Sequence, residues 1–255
     1  MSLKEIYNKL INITEDLNIK SGMNEQILYS EIITPNSKIF LDSGFEMGLK
    51  LKLDKESMHE ILDKFENYWN NSDPKYKNSL QFLAHSVSLV INSFLGQNGT
   101  SYNRLKTYFN SSDESVHLSD LKGKNIGLCV ERAAIAHQII TVLGAAGITN
   151  YKSIFTTSDL EIKDEKNDFG AHAFIILENK NNESERYLFD VQNPVRVTKG
   201  EEKYILDGIF DLRDDEYESF LNKDVITPKC TYENYGYKLD EPERIYGLKF
   251  GKLFI

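Results

Sequence analysis

Cysteine is scarce in this chain, with two in 255 residues, Cys129 and Cys230. Two thiols make no disulfide framework, and the pattern is that of a chain kept in a reducing compartment. Nor is a staple needed, because a compact domain of this size buries roughly 70–75% of its unfolded surface. Long apolar runs are also missing. The most hydrophobic stretch, from Leu80 to Leu95, is interrupted by His85, Ser86, Ser88, Asn92 and Ser93 and is too short to span a bilayer. The opening Met1-Ser2-Leu3-Lys4-Glu5 lacks the apolar core of a secretion signal. A cytoplasmic chain with no membrane partner is the expectation. Excess positive charge is absent too. The formal net charge is -9, and the lysines are dispersed among acids. No basic stripe is available to neutralise phosphates, so nucleic acid is not an expected partner. A phosphate-cradling glycine loop is missing as well: Gly123-Lys124 carries none of the rest of that motif. No cofactor is expected.

What is present divides by periodicity. Ile6, Leu10, Ile13 and Leu17 recur at helical spacing. Met58, Ile61, Leu62, Phe65 and Trp69 form one stripe over Glu56 to Trp69, and Asn71-Ser72-Asp73-Pro74 breaks it. Leu80, Leu83, Ala84, Val87 and Ile91 predict a third helix from about Lys77 to Phe94, ended by Gly96. A short fourth helix is expected over Tyr102 to Phe109, and a hairpin around Ile39 to Leu53. After the loop Gly123 to Gly127, a long helix runs from Cys129 to about Ala146, with Gly147 as its stop. The period then changes to two. Tyr151 to Thr157, Ala171 to Leu177 and Tyr187 to Val191 read as strands of an antiparallel meander. A short helix is expected at about Asp214 to Leu221, and partly strand-like sequence in Leu239 to Ile255. The layout is α+β, with a helical N-terminal region over 1–95 and a mixed core over 96–255 whose central helix packs on a sheet.

Three residues bear on chemistry. Cys129 opens the central helix, where free N–H groups and the positive dipole end favour a thiolate. A free cysteine is also often simply buried and inert. Gly127 reads as leaving room for a substrate backbone. His172 stands in Gly170-Ala171-His172-Ala173-Phe174, at the start of a strand, where it is either a core imidazole or the base for a thiol. Asp190 ends the apolar run Tyr187-Leu188-Phe189. It either opens a turn toward Asn193-Pro194 or fixes the imidazole tautomer, as the acid of a triad does. Two adjacent antiparallel strands place the last two side by side. His137, two turns along the helix from Cys129, matches no zinc spacing and reads as a buried helix histidine; no metal is expected. Glu131 reads as a solvated or salt-bridged side chain, and Cys230 as a residue of a polar loop.

The stretch Gly127-Leu128-Cys129-Val130-Glu131-Arg132-Ala133, closed by Gly147-Ile148, resembles the nucleophile helix of the transglutaminase-like superfamily. Gly170-Ala171-His172-Ala173-Phe174 resembles its histidine strand, and Phe189-Asp190-Val191-Gln192-Asn193-Pro194 its aspartate strand. The likeness spans about residues 95 to 195. It implies a papain-like (transglutaminase-like) core, a Cys129-His172-Asp190 triad and thioester chemistry on an amide, such as a peptide or a glutamine side chain. A peptide or protein substrate is then the expected partner. Cys129-Val130-Glu131 also resembles the Cys-x-Glu signature of arylamine N-acetyltransferases, implying acetyl transfer from acetyl-coenzyme A. Their arginine and double-glycine lead-in is replaced here by Asn125-Ile126-Gly127. A third reading is an idle triad on a protein-binding module. The backbone N–H of Cys129 supplies one oxyanion donor. The resemblance implies a second from a side chain upstream, for which Gln97 and Asn98 stand just past the third helix, with Asn125 as the local alternative.

Overall fold

The computed structural model describes residues 1–22, 27–42, 48–96, 106–108, 115–162 and 169–247. The periodic stripes become helices α1 (Leu3–Ile13), α2 (Lys55–Asn71) and α3 (Leu80–Leu95), although α1 stops before Leu17, the last residue of its stripe. Asp54 caps α2 by accepting the Ser57 N–H at 2.9 Å, and Ser79 caps α3 by accepting that of Phe82 at 3.3 Å. Residues 106–108 are helical, and the rest of the expected fourth helix lies outside the described residues.

The N-terminal region is not purely helical. Strands β1 (Asn18–Gly22), β3 (Lys38–Asp42), β4 (Leu49–Lys52) and β5 (Ser115–His117) form a small sheet in the order β1-β3-β4-β5. The β3–β4 pair is the expected hairpin, and both outer pairings are parallel. Parallel partners come from distant segments, so no local pattern announces them. β2 (Ile27–Tyr29) joins the large sheet instead. A one-turn helix, α4 (Leu118–Leu121), follows β5 and leads toward the central helix α5 (Cys129–Ala145).

Beyond α5 the chain is a curled antiparallel sheet. Its strands are β6 (Tyr151–Ile162), β7 (Phe169–Asn179), β8 (Asn182–Lys199), β9 (Glu202–Asp211), β10 (Lys229–Cys230), β11 (Lys238–Leu239) and β12 (Arg244–Gly247), and the helix α6 (Asp214–Leu221) interrupts them. The order is β10-β9-β8-β7-β6-β12, with β2 also on β6 and β11 on β8. Helix α5 lies against β6, β7 and β8 and against α1 and α3. Covered along most of its length, it is buried all round rather than striped, and its small residues Ala133, Ala134 and Ala136 are fully buried. Among the described residues no helix is long and apolar enough to cross a membrane.

Two expectations change here. Asp190 is not a strand end, because β8 continues to Lys199. Cys230 is not in a polar loop; it is buried on β10, paired with Phe210.

Candidate active site

The site is built where α5 begins and where β8 breaks step. β8 and β9 pair at Asp190↔Gly208 and next at Val195↔Leu206, so residues 191–194 face the single residue Asp207. This wide bulge accommodates Pro194, which has no N–H for a ladder. It also turns backbone inward. The N–H groups of Gln192 and Asn193 donate to Asp190 Oδ1 at 3.2 and 3.1 Å. Asn193 Nδ2 donates to Asp190 Oδ2 at 3.1 Å and lies 3.5 Å from His172 Nε2. β7 and β8 pair from Asn179↔Asn182 to Ile175↔Phe189. That ladder ends short of His172 and leaves the space into which the bulge reaches.

His172 Nε2 lies 2.9 Å from Asp190 Oδ2. Cys129 hydrogen-bonds the same imidazole. Because Nε2 is taken by the carboxylate, the nitrogen left to exchange a proton with sulfur is Nδ1. The three sequence-identified residues thus form one row. Cys129 is half-buried, while His172 and Asp190 are buried. Burial alone penalises both charges. The paired opposite charge, the hydrogen bond between the two and the Cys129 contact overcome this for His172 and push it up to about 10. For Asp190, His172 and the nearby Arg244 and Asn193 overcome burial and hold the carboxyl below its usual value. At neutral pH the pair is therefore imidazolium and carboxylate, and an imidazolium beside Cys129 favours a thiolate.

Sequence reasoning missed the supports of this row. Tyr246 OH donates to Asp190 Oδ2 at 3.0 Å, and Arg244 lies 3.6 Å from the same oxygen. Both ride on β12. The alternation Arg244-Ile245-Tyr246 is the only local signal, since it sends both polar ends to one face. Glu131 is not solvated. It is fully buried, accepting the Leu128 N–H at 3.0 Å and the Tyr108 hydroxyl at 2.7 Å, and so caps the tip of α5. Arg132 is buried as well. Its guanidinium donates to the carbonyls of Gly127 (3.1 Å) and Gly96 (2.8 Å) and to Asn92 Oδ1 (2.6 Å). It thereby ties the loop before Cys129 to the end of α3.

Gly127 also has a packing reason. A Cβ there would fall 2.6 Å from Leu95 Cδ1, so the missing side chain lets the loop close on α3. Asn125 is exposed with φ 55, and its amide oxygen lies over Gly96, where an added Cβ would come within 2.0 Å. Gln97 and Asn98 lie outside the described residues. Both ring nitrogens of His137 are occupied, by Ser153 Oγ and the Glu31 carbonyl, and burial pushes its pKa down to about 4. It is a neutral structural residue. Among the described residues no group of three or more His, Cys, Asp or Glu gathers as a metal site.

Next to Asp190 is a cavity of about 460 Å³, bounded by Ser88 and Asn92 of α3, Arg132 of α5, Gln192 of the bulge, and Ile205 and Asp207 of β9. Its size falls in the range of small-ligand sites.

Gly208 holds the bulge from the β9 side. A Cβ there would meet the Asn193 carbonyl at 2.4 Å and the Asp190 carbonyl at 2.8 Å. Both are backbone atoms that cannot rotate away. Gly208→Ala is expected to cost about 1–3 kcal/mol and to displace Asp190 from His172. Urea unfolding measures the first effect and the alkylation rate of Cys129 the second. Wild-type values for both would contradict this account of the bulge.

No family model, no curated protein and no solved structure matches the chain.

Proposed function

We propose that this chain is a thiol-dependent acyl-transfer enzyme with a papain-like, transglutaminase-like core. It acts as a hydrolase or acyltransferase on an amide, a peptide bond or a glutamine side chain. The observation that carries the reading is the continuous row from the helix-tip Cys129 through His172 to the buried, multiply bonded Asp190. A merely structural histidine does not require a buried carboxylate on one side and a half-exposed thiol on the other.

The chemistry follows from the row. The Cys129 sulfur attacks the amide carbonyl carbon, and the electron pair of the C=O moves to oxygen. The backbone N–H of Cys129, at the tip of α5, donates to that oxyanion. The His172 imidazolium gives its Nδ1 proton to the amide nitrogen, the C–N bond breaks and an amine leaves. A thioester remains on Cys129. Water or an amine then attacks it while neutral His172 takes the proton, and the Cys129 sulfur leaves. Asp190 stays anionic throughout and holds the ring by Nε2.

A generic activated ester tests the acyl step without a known substrate. With p-nitrophenyl acetate, intact-mass and peptide analysis are expected to find one acetyl group on Cys129 ahead of every other residue, and none there in His172→Ala. Acetylation spread over lysines with no preference for Cys129 would refute the assignment.

A further inference from the structure

The bulge that presents Asp190 has given up its own sheet partners, so something else must hold it. Carbonyls released from a ladder and buried need donors. Arg244 provides them. Its two terminal nitrogens donate to consecutive carbonyls, Nη1 to Asn193 at 2.7 Å and Nη2 to Pro194 at 2.8 Å. The guanidinium is itself aimed. It lies over the Phe210 ring at 5.5 Å, and Nη2 also donates to Glu241. Its strand is fixed on two sides. β12 pairs with β6 from Arg244↔Ile162 to Gly247↔Asp159, and Tyr246 exchanges backbone bonds with Ile226 at 2.7 and 2.9 Å.

From this geometry we infer that Arg244 is a positioning residue for the triad, acting on Asp190 through the backbone of residues 193 and 194. Every donor the bulge sends to Asp190 depends on that backbone: the N–H of Gln192, the N–H of Asn193 and the Asn193 amide. One fork therefore sets three hydrogen bonds on the carboxylate. A planar guanidinium spans two successive carbonyls with two nitrogens held in a rigid fork, whereas lysine's three N–H groups radiate from one nitrogen on a flexible stem and do not reproduce that spacing. The role thus belongs to the shape of arginine and not to its charge alone. The inference rests on the thiol-triad reading, because Asp190 has a catalytic meaning only within it.

The test is the pH dependence of Cys129 alkylation by iodoacetamide in wild type, Arg244→Lys and Glu241→Gln. Arg244→Lys keeps the positive charge near Asp190 and removes the fork. Its acid limb is expected to move up by about one pH unit, lowering the rate below the limb about three- to fourfold, because the roughly tenfold loss of thiolate is partly offset by the greater nucleophilicity of a less acidic thiol. Glu241→Gln keeps every residue of the row and slackens the carboxylate that aims Arg244; the same limb is expected to move the same way by a smaller amount. A folded Arg244→Lys with the wild-type profile would overturn the inference. If Arg244→Lys does not fold, an unchanged limb in Glu241→Gln overturns it instead. Wild type lacking any depressed limb would instead strike the triad reading itself, so the two failures are distinguishable.

Discussion

Replacing His172 with alanine is expected to slow Cys129 alkylation at pH 6.5 by about 5–10-fold. An ordinary cysteine thiol is about 1% thiolate at that pH. In the wild-type chain the neighbouring ring is held as an imidazolium by Asp190, and on the proposed reading its charge favours the thiolate. The loss in rate is smaller than the loss in thiolate, because a thiolate of low pKa is intrinsically a weaker nucleophile. Cys230 serves as an internal control. It is buried on β10, and burial pushes its thiol up to about 11, so its labelling in the folded chain is expected to be negligible in both proteins. Quantifying the two alkylated peptides by mass spectrometry reads the effect. Equal Cys129 rates in wild type and variant would remove His172 from its role.

Asp190→Asn is expected to have the largest effect on stability, and the effect depends on pH with a definite sign. The folded pKa of His172, about 10, lies above its ordinary 6.5. Its contribution to stability is therefore fully present below about pH 6.5 and is lost as pH rises through about 10. Asp190 is displaced the other way, below its ordinary 3.8. Its contribution is present above that value and is lost as pH falls through the lower folded one. Wild type should thus be most stable, as far as this pair is concerned, between about pH 4 and 6.5. Asparagine keeps the shape but leaves a buried imidazole and the nearby Arg244 without their carboxylate. The expected cost near pH 6 is about 3–5 kcal/mol, as for removing one partner of a buried pair. The decline in stability from pH 6.5 to 10 should flatten in the variant. Urea unfolding of both proteins at pH 6 and pH 9 measures this. Two proteins with parallel pH dependence would contradict the ion pair.

The three residues that meet in one row were legible because each stands out locally. A cysteine after a glycine-bounded loop, a histidine between alanines at the head of an apolar strand and an aspartate after Leu188-Phe189 are all visible without a fold. The long helices were legible for a similar reason, since α2, α3 and α5 keep their apolar spacing over several turns. The supports were not legible, because their meaning is tertiary. Glu131 and Arg132 look like surface charges in sequence, and charged residues are seldom buried unless paired or bonded. They are buried because the loop before Cys129 and the end of α3 leave a carbonyl, an N–H and an amide for them to bind. Arg244 and Tyr246 act across more than fifty residues of chain, on a strand of four residues. The bulge in β8 is equally silent: Val191-Gln192-Asn193-Pro194 reads as a turn, and only its pairing with Gly208 and Leu206 shows a strand that continues. The small N-terminal sheet was hidden by short strands and by parallel partners far away in sequence.

The central claim is that Cys129 is a thiolate held by His172, and the wild-type pH profile tests it most directly. The folded chain is alkylated with iodoacetamide from pH 5 to 10, and Cys129 and Cys230 are quantified separately. A Cys129 limb with its midpoint well below pH 8 is expected, with Cys230 staying unlabelled. Two cysteines reacting alike, with one midpoint near an ordinary thiol value of about 8.5, would contradict it.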